Sequence, residues 1–547
     1  MITSRRTFVG ILGAASLRGA SVKPDLILTN GNIHTMDPAN PQAQAVAIAD
    51  GRFLAVGTNA EIENLATGAK RIDLGGKTVF PGFIDAHLHT ASSGLRHLKE
   101  VNCDLRSIAA IQAAIKERAA KTPPGQWVVG FMYDDTKTAE GRPINKTDLD
   151  AAAPNHPVLI NHRGGHTSYV NSRAMSIADV NEATRDPEGG KFEHGPDGKL
   201  TGRIEERANA AFRSKIREVA TRADRREGVK LITKMIAKSG ITSVNDPQGS
   251  PEDLTAYQDA FDAGELSVRV YSFLAQNYIQ RMLAAGVRSG MGNEWVRIGA
   301  MKMVADGSIS ERTAWVSESY VGRPNDHGIE VRTEEQLYND AKAAHAAGWH
   351  IGTHANGDKS IDVVLRVYER LQREVPRRDP RFRIEHCTVI NPDLVRRMKT
   401  QGVIPAPFSS YVYYHGEKMK EYGAERLNSM FALRSFLDAG IPATMSSDYP
   451  PGPFEPMMFL QSAVTRTDIK GNVWGPKQKI TIEEALRVAT VNGAHASFEE
   501  KLKGSIEAGK LADVVVLGRD PLKENPSTLV TIPIERTMVG GKWMYES

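Results

Sequence analysis

The sequence predicts an α/β protein in which a parallel barrel of the (β/α)8 TIM type is joined to a β-sandwich built from both chain ends. Three observations predict it. The chain has 547 residues with 41% hydrophobic content, enough for a large core and more than one small domain needs. Short β-branched runs alternate through its middle with amphipathic helical stretches, such as residues 111–120 and 365–374. The two ends share a different texture of short strands and tight turns.

At the amino end, residues 25–33 (DLILTNGNI), 45–48 (AVAI) and 52–57 (RFLAVG) read as strands punctuated by Asn-Gly and Asp-Gly turns. At the carboxyl end, residues 512–517 (ADVVVL) and 534–542 (IERTMVGGK) read the same way, so the ends are expected to pair. The resulting domains are 23–80 with 500–547 for the sandwich and 81–499 for the barrel, which carries an insertion around 100–235. Residues 1–22, with Arg5-Arg6 before a short apolar stretch, look like a twin-arginine export signal. The expectation is a periplasmic or secreted protein if that signal works and a cytoplasmic one otherwise.

Lys+Arg 69 against Asp+Glu 65 leaves a net charge of +4 with no long basic run, so neither nucleic acid nor a membrane surface is an expected partner. A small molecule is. Cys103 and Cys387 lie far apart without CxxC spacing, which indicates neither a disulfide framework nor a thiolate metal site; two buried free thiols are expected.

Residues 81–90 (PGFIDAHLHT) join an apolar run to His87 and His89. At period two on a strand end, both imidazoles face one side and are able to share a metal ion. An isolated HxH pair is more often chance, so further metal-competent residues must appear at later strand ends. They do: short strands end in His354 (GWHIGTHA), His386 (FRIEHC) and Asp448 (IPATMSSD), and Lys302 sits inside the apolar strand VRIGAMKMVADGS. A buried ammonium requires a partner or a chemical change.

PGFIDAHLH with His354, His386 and Asp448 resembles the amidohydrolase superfamily of metal-dependent hydrolases, and residues 504–513 (GSIEAGKLAD) resemble its return into the sandwich. Residues 302–308 (KMVADGS), 165–172 (GHTSYVNS) and the long insertion are similar to the branch holding the N-substituted formamide deformylases. The resemblance implies that His87 and His89 bind one ion, that His354 and His386 hold a second, and that Lys302, carboxylated to a carbamate, bridges them. It further implies that Asp448 touches the first ion and the attacking water as the catalytic proton-transfer group. Zinc is the first expectation, with manganese or iron as alternatives, and one or two ions bound. His166 and Asn171 would reach from the insertion to the substrate, and Asp306 and Arg312 would orient Lys302 or line the pocket. For Asp306 a structural Asp-Gly turn explains the residue equally well. A homodimer is implied by the resemblance alone.

The expected activity is cleavage of a C–N bond in an amide, N-formyl or cyclic imide small molecule. Two rivals are a deaminase of an amino-substituted heterocycle, for which an expected His-x-x-Glu motif is missing, and a non-catalytic exported ligand-binding protein, against which the complete ligand set argues.

Overall fold

The computed structural model describes residues 22–547 apart from 66, 166, 189, 217–219 and 409. The twin-arginine segment and His166 therefore lie outside the described residues, Val22 excepted.

Seven parallel strands form the central sheet: β1 (Phe83–Asp85), β2 (Ile241–Gly249), β3 (Arg269–Ala275), β4 (Val296–Val304), β5 (His350–Ala355), β6 (Arg383–His386) and β7 (Ile404–Ala406). Each pairs with the next in chain order. Such a sheet is buried on both faces, which is why its strands read as near-continuous apolar runs rather than alternating ones. The crossover helices present the matching stripe. In helix Asp358–Glu374, Ile361, Val364, Leu365, Tyr368 and Leu371 recur at helical spacing and join one core with Met301, Ile351 and Ile384 of the strands. Each such side chain contributes about 1.5–3 kcal/mol when buried. Helix Glu334–Ala346 starts at a capping box of Thr333 with Gln336, and helix Arg222–Lys238 at one of Thr221 with Asp224.

The eighth segment, residues 441–448, forms no regular strand. It runs between the sheet's two edges: Thr444 N donates to Pro405 O (3.2 Å) on the β7 side and Ala86 N to Met445 O (2.9 Å) on the β1 side. The reason for the missing ladder is local. Pro442 has no N–H, Ala443 N turns back to Ile441 O (2.9 Å), and Met445 N is directed to Val488 O (3.4 Å).

Between β1 and β2 the chain builds a second sheet of six strands, Val101–Asn102, Val128–Tyr133, Val158–His162, Thr167–Val170, Gly190–His194 and Leu200–Glu206. The chain ends meet as the pattern requires: Thr78–Pro81 pairs antiparallel with Val514–Leu517 in another six-stranded sheet. A four-stranded sheet of amino-end strands shares its core, where Leu28, Val46 and Ile48 pack with Val79, Val514 and Met538. Among the described residues no helix is long and apolar enough to cross a membrane.

Candidate metal centre

A cavity of about 220 Å³ opens at the carboxyl ends of these strands, lined by His87, His89, Lys302, His354, His386 and Asp448 among others. All six residues predicted as ligands are thus brought to one place, from β4, β5, β6, the 441–448 segment and the turn after β1. His87 and His89 lie past the strand's end at Asp85 rather than on it, His89 as the N-cap residue of helix Thr90–Lys99. His87, His89 and Asp448 each present a ligand atom within 4.8 Å of the others. The Nε2 atoms of His87 and His89 both lie 3.2 Å from Asp448 Oδ1. His386 bridges the two halves, its ring centroid 4.7 Å from that of His87 and 4.5 Å from that of His354.

The backbone bends to achieve this. His386 (φ 70°) and Asp448 (φ 51°) occupy the left-handed region, as does Gln248 (φ 67°) on the same cavity wall. Non-glycine residues held there carry strain that the surroundings must impose, and such strain gathers at functional sites. At His386 it breaks the strand's alternation.

Hydrogen bonds fix which nitrogen each histidine offers. His87 Nδ1 lies 2.5 Å from Glu385 Oε2, so the carboxylate takes its N–H and Nε2 is left bare; Nε2 is buried without a hydrogen-bond partner. His386 Nδ1 is also buried without one. His354 donates from Nε2 to Gly307 O (3.0 Å), leaving Nδ1 as its lone-pair atom. Burial holds the His386 imidazole well below its ordinary value and brings His354 to about 4, with nearby Lys302 adding to the shift. Both are neutral at pH 7, the form in which an imidazole is able to ligate a metal. Against the penalty of burial, the neighbouring imidazoles of His386, His87 and His89 keep Asp448 well below the carboxylate range. Two imidazole nitrogens, one of them orphaned, converging on an ionised carboxylate oxygen fit a divalent cation.

Lys302 is 3% exposed, and burial lowers its ammonium to about 8 in spite of Glu385 and Asp448. Glu385, which the sequence reading did not single out, is itself completed by Arg383, whose Nε lies 2.8 Å from Oε1; Arg383 also bonds Asn245 Oδ1 (2.5 Å) and Ala86 O (2.6 Å). Arg383 and His87 together hold Glu385 ionised although it is fully buried. Period-two spacing from Arg383 to Glu385 was the available signal, overshadowed by the neighbouring histidine.

Of the predicted substrate contacts, Asn171, Asp306 and Arg312 fall elsewhere. Asn171 is spent inside the insertion: Oδ1 accepts from Val158 N and Ala174 N (both 3.0 Å), and Nδ2 donates to His156 O (2.9 Å). Asp306 accepts from Asn356 N (2.9 Å), Gly357 N (2.8 Å), Trp315 N (2.9 Å) and Ser360 Oγ (2.7 Å), and its Oδ1 lies 3.6 Å from His354 Nε2. It organises the loop that seats His354 and does not line the cavity. Arg312 Nε faces Glu421 at 3.5 Å and is likewise absent from the cavity wall.

A family model described as the amidohydrolase family matches residues 70–545. The chain belongs to the amidohydrolase family. Protein LONG AFTER FAR-RED 3 of Arabidopsis thaliana is 30% identical to it over 96% of this chain and 92% of that one. The N-substituted formamide deformylase of Arthrobacter pascens is 30% identical over 95% and 98%. Among solved structures, an uncharacterized metal-dependent hydrolase from Pyrococcus horikoshii superposes with a TM-score of 0.75 at 25% identity, covering 92% of this chain and 99% of that one. Membership makes this amidohydrolase a metal-dependent hydrolase, and the donor set around the cavity fits a divalent ion.

Proposed function

We propose that the protein hydrolyses a C–N bond of an amide, N-formyl or cyclic imide small molecule. The observation that carries the reading is the convergence of His87 Nε2, His89 Nε2 and Asp448 Oδ1 at the cavity floor. Likeness to the Arthrobacter deformylase supports the N-formyl class. Around this centre the reading assigns a closed (β/α)8 barrel over residues 81–499, supported by the hydrogen bonds from both sheet edges to residues 441–448, and a sandwich of 23–80 with 500–547, supported by the shared core of the end strands.

His87, His89 and Asp448 would hold one ion, His354 and His386 a second, with zinc preferred for its affinity for imidazole and carboxylate. A divalent ion there supplies Lewis acidity toward a carbonyl oxygen and acidifies water. Asp448 accepts the proton of the attacking water and returns it to the leaving nitrogen. Glu385 fixes the tautomer of His87. Phe408, stacked on His386 at 4.3 Å, and Tyr411 and Ile309 form an apolar wall that excludes water and accepts an apolar substituent. The Lys302 ammonium first gives one proton to solvent; the neutral amine then adds to carbon dioxide, the new N–C bond forming as a C=O π bond opens and a second N–H proton leaves to solvent, so that an anionic carbamate replaces an ammonium unable to ligate. No described side chain pairs with that lysine by hydrogen bond or ion pair. His166 remains a candidate for the substrate contact. A homodimer and export through residues 1–22 complete the proposal.

The test is a screen of N-substituted formamides, amides, imides and aminated heterocycles with zinc-loaded protein. Hydrolysis of the carbonyl compounds is the expected result. Ammonia release from the heterocycles alone would replace the reading with a deaminase, and inertness of the metal-loaded protein toward every class would replace it with a binding protein.

A further inference from the structure

A second convergence of donors lies away from the cavity floor. Asp134 follows the strand Val128–Tyr133 of the insertion, and His415 and Glu417 follow the short helix Tyr411–Tyr414; one ligand atom from each lies within 4.8 Å of the others. Asp134 is 3% exposed and His415 2%. In each residue one polar atom is anchored and the other is left over. Asp134 Oδ1 accepts from Thr136 N (3.0 Å) and Thr136 Oγ1 (2.6 Å). Glu417 Oε2 accepts from Lys137 Nζ (3.2 Å). His415 Nε2 lies 3.0 Å from Pro451 O, and since a carbonyl only accepts, Nε2 carries the hydrogen and Nδ1 a bare lone pair.

The remaining atoms, Asp134 Oδ2, Glu417 Oε1 and His415 Nδ1, are all buried without a hydrogen-bond partner. Three lone-pair atoms meet with no hydrogen among them, an arrangement that costs energy unless a cation sits at its centre. His415 Nδ1 and Glu417 Oε1 are 3.7 Å apart. Two ligands about 2.1 Å from a tetrahedral ion stand about 3.4 Å apart, so little movement is needed to close the site. The neighbouring positive groups have their own partners. Lys137 engages Tyr414 O (2.8 Å) and the other oxygen of Glu417, and Arg163 engages Asp104 (2.7 Å) and Pro450 O (2.8 Å). Asp135, beside the cluster, faces His162 at 3.3 Å.

We propose that Asp134, His415 and Glu417 form a peripheral site for a divalent transition-metal cation, zinc by preference, that ties the insertion to the rim of the catalytic cavity. Two carboxylate oxygens and one imidazole nitrogen whose other nitrogen is fixed by a backbone carbonyl match the donor set and outer hydrogen bonding of zinc sites. The consequence is positional. His415 lies one helical turn beyond Tyr411 and bonds Pro451, and both of those residues line the cavity. An ion at this point would join the Val128–Tyr133 strand to two separate pieces of the cavity wall, without touching His87, His89 or Asp448.

The experiment strips the full-length protein with a chelator, reloads it with Zn²⁺ alone, removes free ion by gel filtration and counts metal per chain. Wild type is compared with His415→Gln and with Glu417→Gln, the latter at a partly exposed position that tolerates change if the buried histidine does not. Each folded variant should retain one ion fewer than wild type and show a smaller Zn²⁺-induced rise in Tm. In a His87→Ala background, which removes the ion held by His87, His89 and Asp448, adding Glu417→Gln should still lower the metal content by one ion. Equal metal content in wild type and the folded variants would overturn the proposal while leaving the catalytic centre intact.

Discussion

His350 and His354 stand four residues apart on β5, at opposite ends of the same strand, and the difference between them separates stability from chemistry in this protein. At the amino end, His350 is 1% exposed and fully satisfied: Nε2 donates to Arg381 O (2.7 Å) and Nδ1 accepts from Tyr271 O–H (3.1 Å). At the carboxyl end, His354 spends one nitrogen on Gly307 O and turns its ring toward His386 and the cavity. The contrast extends outward. Polar groups at the carboxyl end are left over by their neighbours, as with His87 Nε2 and His386 Nδ1, whereas Asn171 of the insertion has partners at both side-chain atoms. A buried residue whose every polar atom is spoken for is committed to structure; an unpartnered imidazole nitrogen at the cavity is available to a ligand.

The largest effect should come from Asp448→Asn. It is expected to lower kcat by about 10²–10⁴-fold while metal content stays near wild type, since proton transfer is lost and an oxygen donor remains. Wild-type turnover in that variant would move the proton-transfer role elsewhere. Next, Glu385→Gln should weaken metal binding by about 10–100-fold through loss of the carboxylate that fixes His87, measured by zinc competition against a chromophoric chelator; unchanged affinity would reduce Glu385 to a packing residue. Asn171→Ala should leave kcat and KM unaltered and cost about 1–2 kcal/mol by denaturant unfolding, because it removes the cap of helix Ser172–Ala178. A large rise in KM with stability intact would return Asn171 to the substrate. The smallest effect at neutral pH belongs to His350, whose imidazole burial lowers to about 3 from its ordinary 6.5. Below pH 6.5 the unfolded chain takes up a proton that the folded chain refuses, so stability should fall as pH drops from about 6.5 toward 3. His350→Gln should flatten that part of the stability profile, and a profile identical to wild type would show that other groups govern it.

The cavity end of the sheet was legible because metal-competent side chains follow short apolar runs, His87 and His89 first and then His354, His386 and Asp448, although only His354 and His386 lie on regular strands. The pairing of the chain ends was legible for a similar reason, in the strand-and-turn texture of both. Regularity failed as a guide at residues 441–448, where Pro442 and the diversion of Met445 N leave Asp448 on an irregular segment outside any ladder. Glu385 was hidden because His386 beside it abandons strand geometry, so both side chains serve one centre from adjacent positions. Asp306 illustrates the opposite outcome. Its Asp-Gly context suggested both a turn and a pocket residue, and four hydrogen bonds commit it to the loop. Asp134, His415 and Glu417 had no signature at all, since they meet only through the docking of the insertion against residues 411–417.

The antiparallel pairing of Thr78–Pro81 with Val514–Leu517 also sets an order of events in synthesis. The early strand has an open edge on that side until residues 514–517 have left the ribosome, and every element between the two must be made first. The nascent chain therefore carries an unpaired, apolar strand edge for most of its translation, a surface on which other chains are able to add. A polypeptide stopped short of residue 514 would keep that edge permanently, which makes premature termination in this protein a route to aggregation rather than to a smaller working enzyme.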